Sequence, residues 1–365
     1  MDIDKPNRLS RCMVFKGSEW DNGRNILIVH QRNADFLDTK QVVDYYEYRK
    51  SFLKWMLQFG KEPEKAEGYS PYTVYNTGQR AATFDLWAWE YNREYSQPPT
   101  QETARAFMDE KALEDVTNST KGKWLEMLRR YSSWLQAQFG EDEWEFSWNF
   151  TSGGGNPQPR DFLSKQERQK IRNAALSVDG NPAYGIEDKD ALQYTDSSWK
   201  FTTLVWVSLD AGLRPVEVRR ARTSWVDTTN SVLRIPREDS AKNDGNWTVS
   251  LTDRTSTALD YWLDEREKHP RYDDTDRLWL TRHGNPYPAQ ELRRILHKLC
   301  DVSGIDTQNR SMSWYTIRHS VGTHMTRERD LAAAMVQLRH RNPQTTMKYD
   351  QVPVEDRRDA LDQMG

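Results

Sequence analysis

Cysteine is almost missing from this 365-residue chain, with Cys12 and Cys300 the only two. They make no CxxC and no metal-ligand spacing, which excludes a zinc-ribbon or redox-motif reading and any disulfide framework. A run of the roughly 20 apolar residues that a membrane span needs is also lacking. The opening segment MDIDKPNRLSRC has no apolar signal core, so an intracellular protein is expected, and no disulfide in such a reducing compartment. The sequons at Asn118, Asn149 and Asn246 are then chance. Charge of one sign is lacking too: the net charge is −3 and the isoelectric point about 6.2. That balance argues against a protein coated with basic charge without excluding a nucleic-acid binder, because local patches decide binding more than the sum does. Basic residues cluster in VRRAR at 218–222, LRRILHK at 292–298 and RHR at 339–341, each of which reads equally as a solvated helix face. No internal repeat and no low-complexity tract is found.

With 36% hydrophobic and 29% charged residues, the chain can bury a core under a very polar surface, and its length suits about two domains. Residues 1–35 form an N-terminal extension with one strand-like piece, NILIVH. From Asp38 the spacing predicts a helix with Val42, Tyr46, Leu53, Met56 and Phe59 on one face and Gly60 as its stop. Ser70 followed by Pro71 announces a second helix, with Val74, Ala81, Phe84, Ala88 and Tyr91 as its apolar line. A third covers about 101–113. A fourth spans about 120–139, along Leu125, Leu128, Tyr131, Leu135 and Phe139, and closes at Gly140. Residues 36–150 therefore read as an all-helical domain.

TSGGGNPQPRD at 151–161 follows no strand, precedes no Lys-Ser/Thr, and its prolines remove the amide donors of a phosphate-cradling loop. It reads as a linker. Ser164 and Glu167 form a capping box ahead of the next helix, so a second domain is expected over 162–352, with 353–365 as a C-terminal tail. In it 197–212 reads as a buried helix. SVLRIPR and WTVSLT read as strands of a hairpin around Asp244-Gly245, and the remainder as helix. The fold class is mainly α with a small antiparallel hairpin: a helical domain plus an α+β domain.

Candidate chemistry lies in the second domain. AGLRPVEVRRA puts Arg214 at a helix start and Glu217 three residues on, on the same face, where it can fix the guanidinium; alone this is an ordinary Arg–Glu pair. Lys242 sits at the mouth of the hairpin. WYTIRHSVGTHM brings Tyr315, Arg318 and His319 into one helix. His319 and His324 are five apart, off the i,i+4 face of a zinc helix, so no metal site is expected. RHRNPQTTMKYD places Tyr349 nine positions after His340.

Taken in order, Arg214, Lys242, the Tyr315-x-x-Arg318-His319 segment, His340 and Tyr349 resemble the tyrosine recombinase (phage integrase) family. AGLRPVEV is similar to its first arginine box, IRHSVGTHM to its second, and LRHRNPQTTMKYD to its closing signature. The resemblance covers about 160–355 and implies a helical core-binding (SAM-like) domain before it. It implies a site-specific DNA recombinase that cuts and rejoins DNA through a 3′-phosphotyrosine bond. Tyr349 is then the nucleophile, with Arg214 and Arg318 on the phosphate. Lys242 protonates the leaving 5′-oxygen, and His340 bonds a non-bridging oxygen. Glu217 supports Arg214, and His319 is read equally as a support for the active-site residues and as one of them. No metal, ATP or other cofactor is implied. The implied partner is double-stranded DNA bound by a tetramer, in the cytoplasm and on the nucleoid, with a tail that can dock on a neighbouring protomer. A type IB topoisomerase-like enzyme and a relative that has lost catalysis are the alternatives. Two positions depart from the family: Tyr315 stands where it has histidine, and Arg339 where it has glycine. A phenol is a poor base at neutral pH, so the acceptor of the nucleophile's proton is left open, but Tyr315 can still donate a hydrogen bond to a phosphate oxygen and is counted among the catalytic residues.

Overall fold

The computed structural model describes residues 14–15, 26–150, 160–177, 199–241, 245–349, 361–362 and 364. The chain divides into two compact units, Met1–Asn156 and Pro157–Gly365.

The first unit holds strands β1 (Val14–Phe15) and β2 (Ile26–Leu27), paired antiparallel, and helices α1 (Gln31–Phe36), α2 (Thr39–Gln58), α3 (Pro71–Asn92), α4 (Gln101–Leu113) and α5 (Asn118–Phe139). Helices α2 to α5 start where short polar side chains satisfy their free amides. Asp38 accepts from the N–H groups of Lys40 and Gln41, while the Gln41 side chain accepts from Asp38 N. Ser70, Thr100 and Thr117 cap α3, α4 and α5. Gly140 ends α5 at φ +74°, the left-handed conformation a glycine adopts without strain. Residues 26–35 are not an extension: Ile26, Ile28 and Val29 are buried in the core of this unit. Phe59, Tyr91 and Phe139, expected on the apolar faces, are exposed. They lie at the C-terminal ends of the apolar lines or just beyond, and Tyr45, Phe52, Trp89 and Trp134 fill the core instead.

In the second unit come α6 (Lys165–Ser177), α7 (Trp199–Ala211), α8 (Pro215–Arg220), strands β3 (Val226–Asp227), β4 (Val232–Ile235) and β5 (Trp247–Ser250), then α9 (Asp253–Glu267), α10 (Ala289–Val302), α11 (Trp314–Glu328), α12 (Leu331–Leu338) and α13 (Pro343–Thr346). The Ser164–Glu167 capping box forms in both directions. Strands β4 and β5 pair antiparallel with Leu233 opposite Val249 and Ile235 opposite Trp247. A third strand, β3, flanks β4; at two residues it is too short to show a period in sequence. Helix α7 is buried along nearly its whole length. It delivers the chain through Gly212 to Arg214, while α11 and α12 pack closely and bring Arg318 and His340 to the same place.

Candidate active site

The site is built around one carboxylate. Glu217 is fully buried in the first turn of α8. Its Oε2 accepts from Arg214 N at 2.7 Å and its Oε1 from Arg214 Nη1 at 2.8 Å. The same Oε2 accepts from Arg339 Nη2 at 2.7 Å, and Oε1 from Arg339 Nε at 3.4 Å. Arg339, Arg318 and Arg214 together pull the Glu217 carboxyl down to about 2 against the desolvation that pushes it up.

Arg318 comes from α11 and is 2% exposed. Its Nη1 donates to Gly212 O at 2.7 Å, and its Nη2 donates to Leu338 O and to His340 Nε2, the latter at 2.9 Å. Burial first, and then Arg339 and Arg214, lower its pKa to about 9, which leaves it charged at neutral pH. Because a guanidinium only donates, His340 Nε2 accepts. The ring proton of neutral His340 is then on Nδ1, 2.9 Å from Thr346 Oγ1.

Tyr349 lies against this assembly, 5% exposed. Its ring is stacked parallel to His340, with centroids 5.9 Å apart. Its hydroxyl is 3.2 Å from His319 Nδ1. Burial, then Arg160 and Arg318, depress His319 to about 4. The imidazole is therefore neutral and Nδ1 can accept from the phenol. Helix α11 makes room for this ring at Gly322, where a Cβ would stand 2.7 Å from Tyr349 Cγ and 2.9 Å from Leu338 Cδ1. Tyr315, Arg318, His319 and Gly322 share one helical face at i, i+3, i+4 and i+7. Tyr315 is 43% exposed and its ring lies 6.3 Å from that of His319.

The structure thus brings together Arg214, Glu217, Arg318, His319, His340 and Tyr349, and keeps Tyr315 at the rim. Lys242, the Asp244 turn position, most of the linker and most of the tail lie outside the described residues. Among the described residues no three His, Cys, Asp or Glu side chains gather to hold a metal ion. His324 is turned away, donating from Nε2 to Leu163 O at 2.8 Å. No helix of the described residues is long and apolar enough to cross a membrane.

Sequence reasoning missed three residues. Arg339 was visible as part of the RHR cluster and as a departure from a resemblance, not as a partner of Glu217; it sits at φ +60°, a region that costs a non-glycine residue about 1–2 kcal/mol. Gly212, at φ +57° with no room for a Cβ against Leu338, turns its carbonyl to Arg318 and Arg339. Thr346, second of the Thr-Thr pair, orients His340.

Residues 189–355 match the phage integrase family. No curated protein sequence matches the chain. Among solved structures it is similar to the XerH site-specific recombinase bound to palindromic difH substrate in a post-cleavage complex. There the identity is 17% and the TM-score 0.57, over 90% of either chain. The pre-cleavage XerH complex with difH gives 16% identity and a TM-score of 0.56, over 89% of this chain and 88% of that one. The Tn1549 transposon integrase in complex with a circular intermediate DNA gives 12% and 0.52, over 86% and 99%.

Proposed function

The C-terminal half of this chain, residues 189–355, belongs to the phage integrase family, and we propose from that premise that the protein is a site-specific DNA recombinase acting through Tyr349. The observation that carries this reading is the contact chain from Tyr349 through His340 to Arg318, closed by Glu217 on Arg214. It supplies a nucleophile and two guanidiniums around one small volume. The shared fold with the XerH and Tn1549 structures supports it.

The chemistry follows from those groups. Tyr349 Oη attacks the scissile phosphorus, the bond from phosphorus to the 5′-oxygen breaks, and a 3′-phosphotyrosine bond replaces it. One phosphodiester is exchanged for another, so the bond energy is kept for rejoining. Arg214 and Arg318 offer planar forks that match phosphate oxygens and neutralise charge as it builds on them. His319 Nδ1 takes the phenolic proton. Its neutrality in the free protein leaves the lone pair available, and the negative phosphate, by offsetting Arg318 and Arg160, strengthens it as a base when DNA binds. Lys242 protonates the leaving 5′-oxygen. His340 bonds a non-bridging oxygen once its ring releases Arg318 or takes a second proton.

The substrate is double-stranded DNA at specific sites, bound through phosphate contacts from the basic clusters, and the assembly is a tetramer on two synapsed duplexes. Integration or excision of a mobile element is the role, carried out by a nucleoid-bound protein of the cytoplasm. The test is to incubate the protein with a library of genomic or element-junction duplexes and map covalent protein–DNA adducts. Wild type should form adducts at discrete sites, with EDTA present or absent. Tyr349→Phe should bind the same duplexes and form none. Adducts that persist in Tyr349→Phe would move the nucleophile elsewhere and overturn this reading.

A further inference from the structure

We propose that Arg339 is a positioning residue that sets the two phosphate-binding arginines for a single phosphate; the inference rests on the recombinase reading above. The Nε, Nη1 and Nη2 groups of Arg339 all donate to acceptors within the protein, so any effect on the reaction passes through its neighbours. Its backbone is in the left-handed region at φ +60°, ψ 52°, which arginine adopts only when its surroundings hold it there. They do. Nη1 donates to Ala211 O and to Gln337 O, both at 2.9 Å. Nη2 donates to Gly212 O at 3.2 Å and to Glu217 Oε2 at 2.7 Å.

These acceptors have a common origin. The last carbonyls of a helix have no partner within it and carry partial negative charge. Ala211 O and Gly212 O close α7, and Gln337 O and Leu338 O close α12. Two helix ends therefore meet, and Arg318 and Arg339 fill the space between them with five donor contacts to these four carbonyls. Both guanidiniums converge on the Gly212 carbonyl, which fixes Arg318 relative to Arg339.

Arg214 is fixed through the carboxylate. A free carboxylate facing an arginine takes both prongs of its fork, and Glu217 could draw the whole face of Arg214 away from a ligand. Arg339 occupies Oε2, so the side chain of Arg214 reaches Glu217 through Nη1 on Oε1 alone, with its backbone N on Oε2. The side chain of Arg214 is 15% exposed, while those of Arg339 and Glu217 are each 1% exposed. The open member of the cluster is thus oriented by two closed ones.

Arg339→Gly tests this, because glycine relieves the backbone strain while removing every contact. Single-turnover cleavage and DNA affinity are measured at a mapped site, on an ordinary duplex and on one whose scissile phosphate is a neutral methylphosphonate. Expected are DNA affinity within about threefold of wild type and cleavage slowed about a hundredfold on the ordinary duplex. On the methylphosphonate the loss should shrink to a few-fold, since orienting the arginines matters only where charge develops. An equal loss on both duplexes makes Arg339 a packing residue and overturns the proposal, as does undiminished cleavage. If Arg339→Gly fails to fold, Arg339→Lys is measured in the same way, with the same unequal losses expected. Where wild type forms no adduct with any duplex, the recombinase reading falls and takes this one with it. Where wild type cuts and Arg339→Gly cuts as fast, only this one falls.

Discussion

Each unit buries an arginine cluster, and the two differ in their charge balance. In the helical unit, Arg49 is fully buried, with Nη1 3.6 Å from Asp85 and Nη2 donating to Gly78 O at 2.7 Å. The hydroxyls of Tyr45 and Tyr131 complete Asp85 at 2.7 and 2.8 Å. One cation meets one anion. In the catalytic unit Glu217 faces Arg214, Arg318 and Arg339, so one anion meets three cations. The carboxyls register the difference. Burial wins at Asp85, whose pKa is raised despite Arg49; three arginines win at Glu217, which falls to about 2. A balanced buried cluster holds a fold together, whereas an unbalanced one is waiting for an anion.

The sharpest way to break this contrast is to delete one cation from each cluster. Arg49→Met strands Asp85 in the core of the helical unit, and breaking such a pair costs about 3–5 kcal/mol. Urea unfolding should show that loss, and an unchanged midpoint would end the claim that the cluster is structural. Arg214→Met should do the reverse. Cleavage falls roughly 10²–10³-fold, the cost of removing one preorganised donor, while the melting temperature holds or rises because surplus charge is gone. A stability loss as large as that of Arg49→Met would erase the distinction.

Acid separates the clusters more gently. Glu217 is held near 2 against an unfolded value of about 4.3. Its stabilisation, about 3 kcal/mol, is full above that unfolded value and drains away as pH falls toward 2. Asp85 has the opposite sign: its raised pKa makes its charge a cost that grows as pH rises and is relieved in acid. Hydrogen exchange resolved by unit, in urea at pH 5 and pH 3, should show the catalytic unit weakening more, and Glu217→Gln should narrow the gap. Equal weakening would count against the contrast. The smallest effect belongs outside both clusters. Tyr315→Phe, at a half-exposed ring, should change cleavage and stability by no more than about 0.5 kcal/mol. A large drop in cleavage would bring Tyr315 into the site and displace His319 as the proton acceptor.

What could be read in the sequence was local. Asp38, Ser70 with Pro71, and Ser164 with Glu167 announce helix starts because a cap and its amide are three residues apart. Arg214, Arg318, His340 and Tyr349 could be found because their spacing resembles a known series. The Glu217–Arg339 contact joins residues 122 positions apart, and no periodicity encodes such a pair. The exposed Phe59, Tyr91 and Phe139 show the converse error: helical spacing extends an apolar line to the last residues of a helix, which burial does not reach.

Gly322 gives the seat of the Tyr349 ring a direction of change. The ring of Tyr349 rests where a single methyl group would stand, so every substitution at position 322 adds atoms and none can tighten the seat. Mutation there works as a one-way throttle: Gly322→Ala unseats the tyrosine, and each larger side chain holds it out for a greater share of time. The fraction of time the hydroxyl spends on His319 becomes an adjustable duty cycle, set by the volume of one side chain at a buried position of α11.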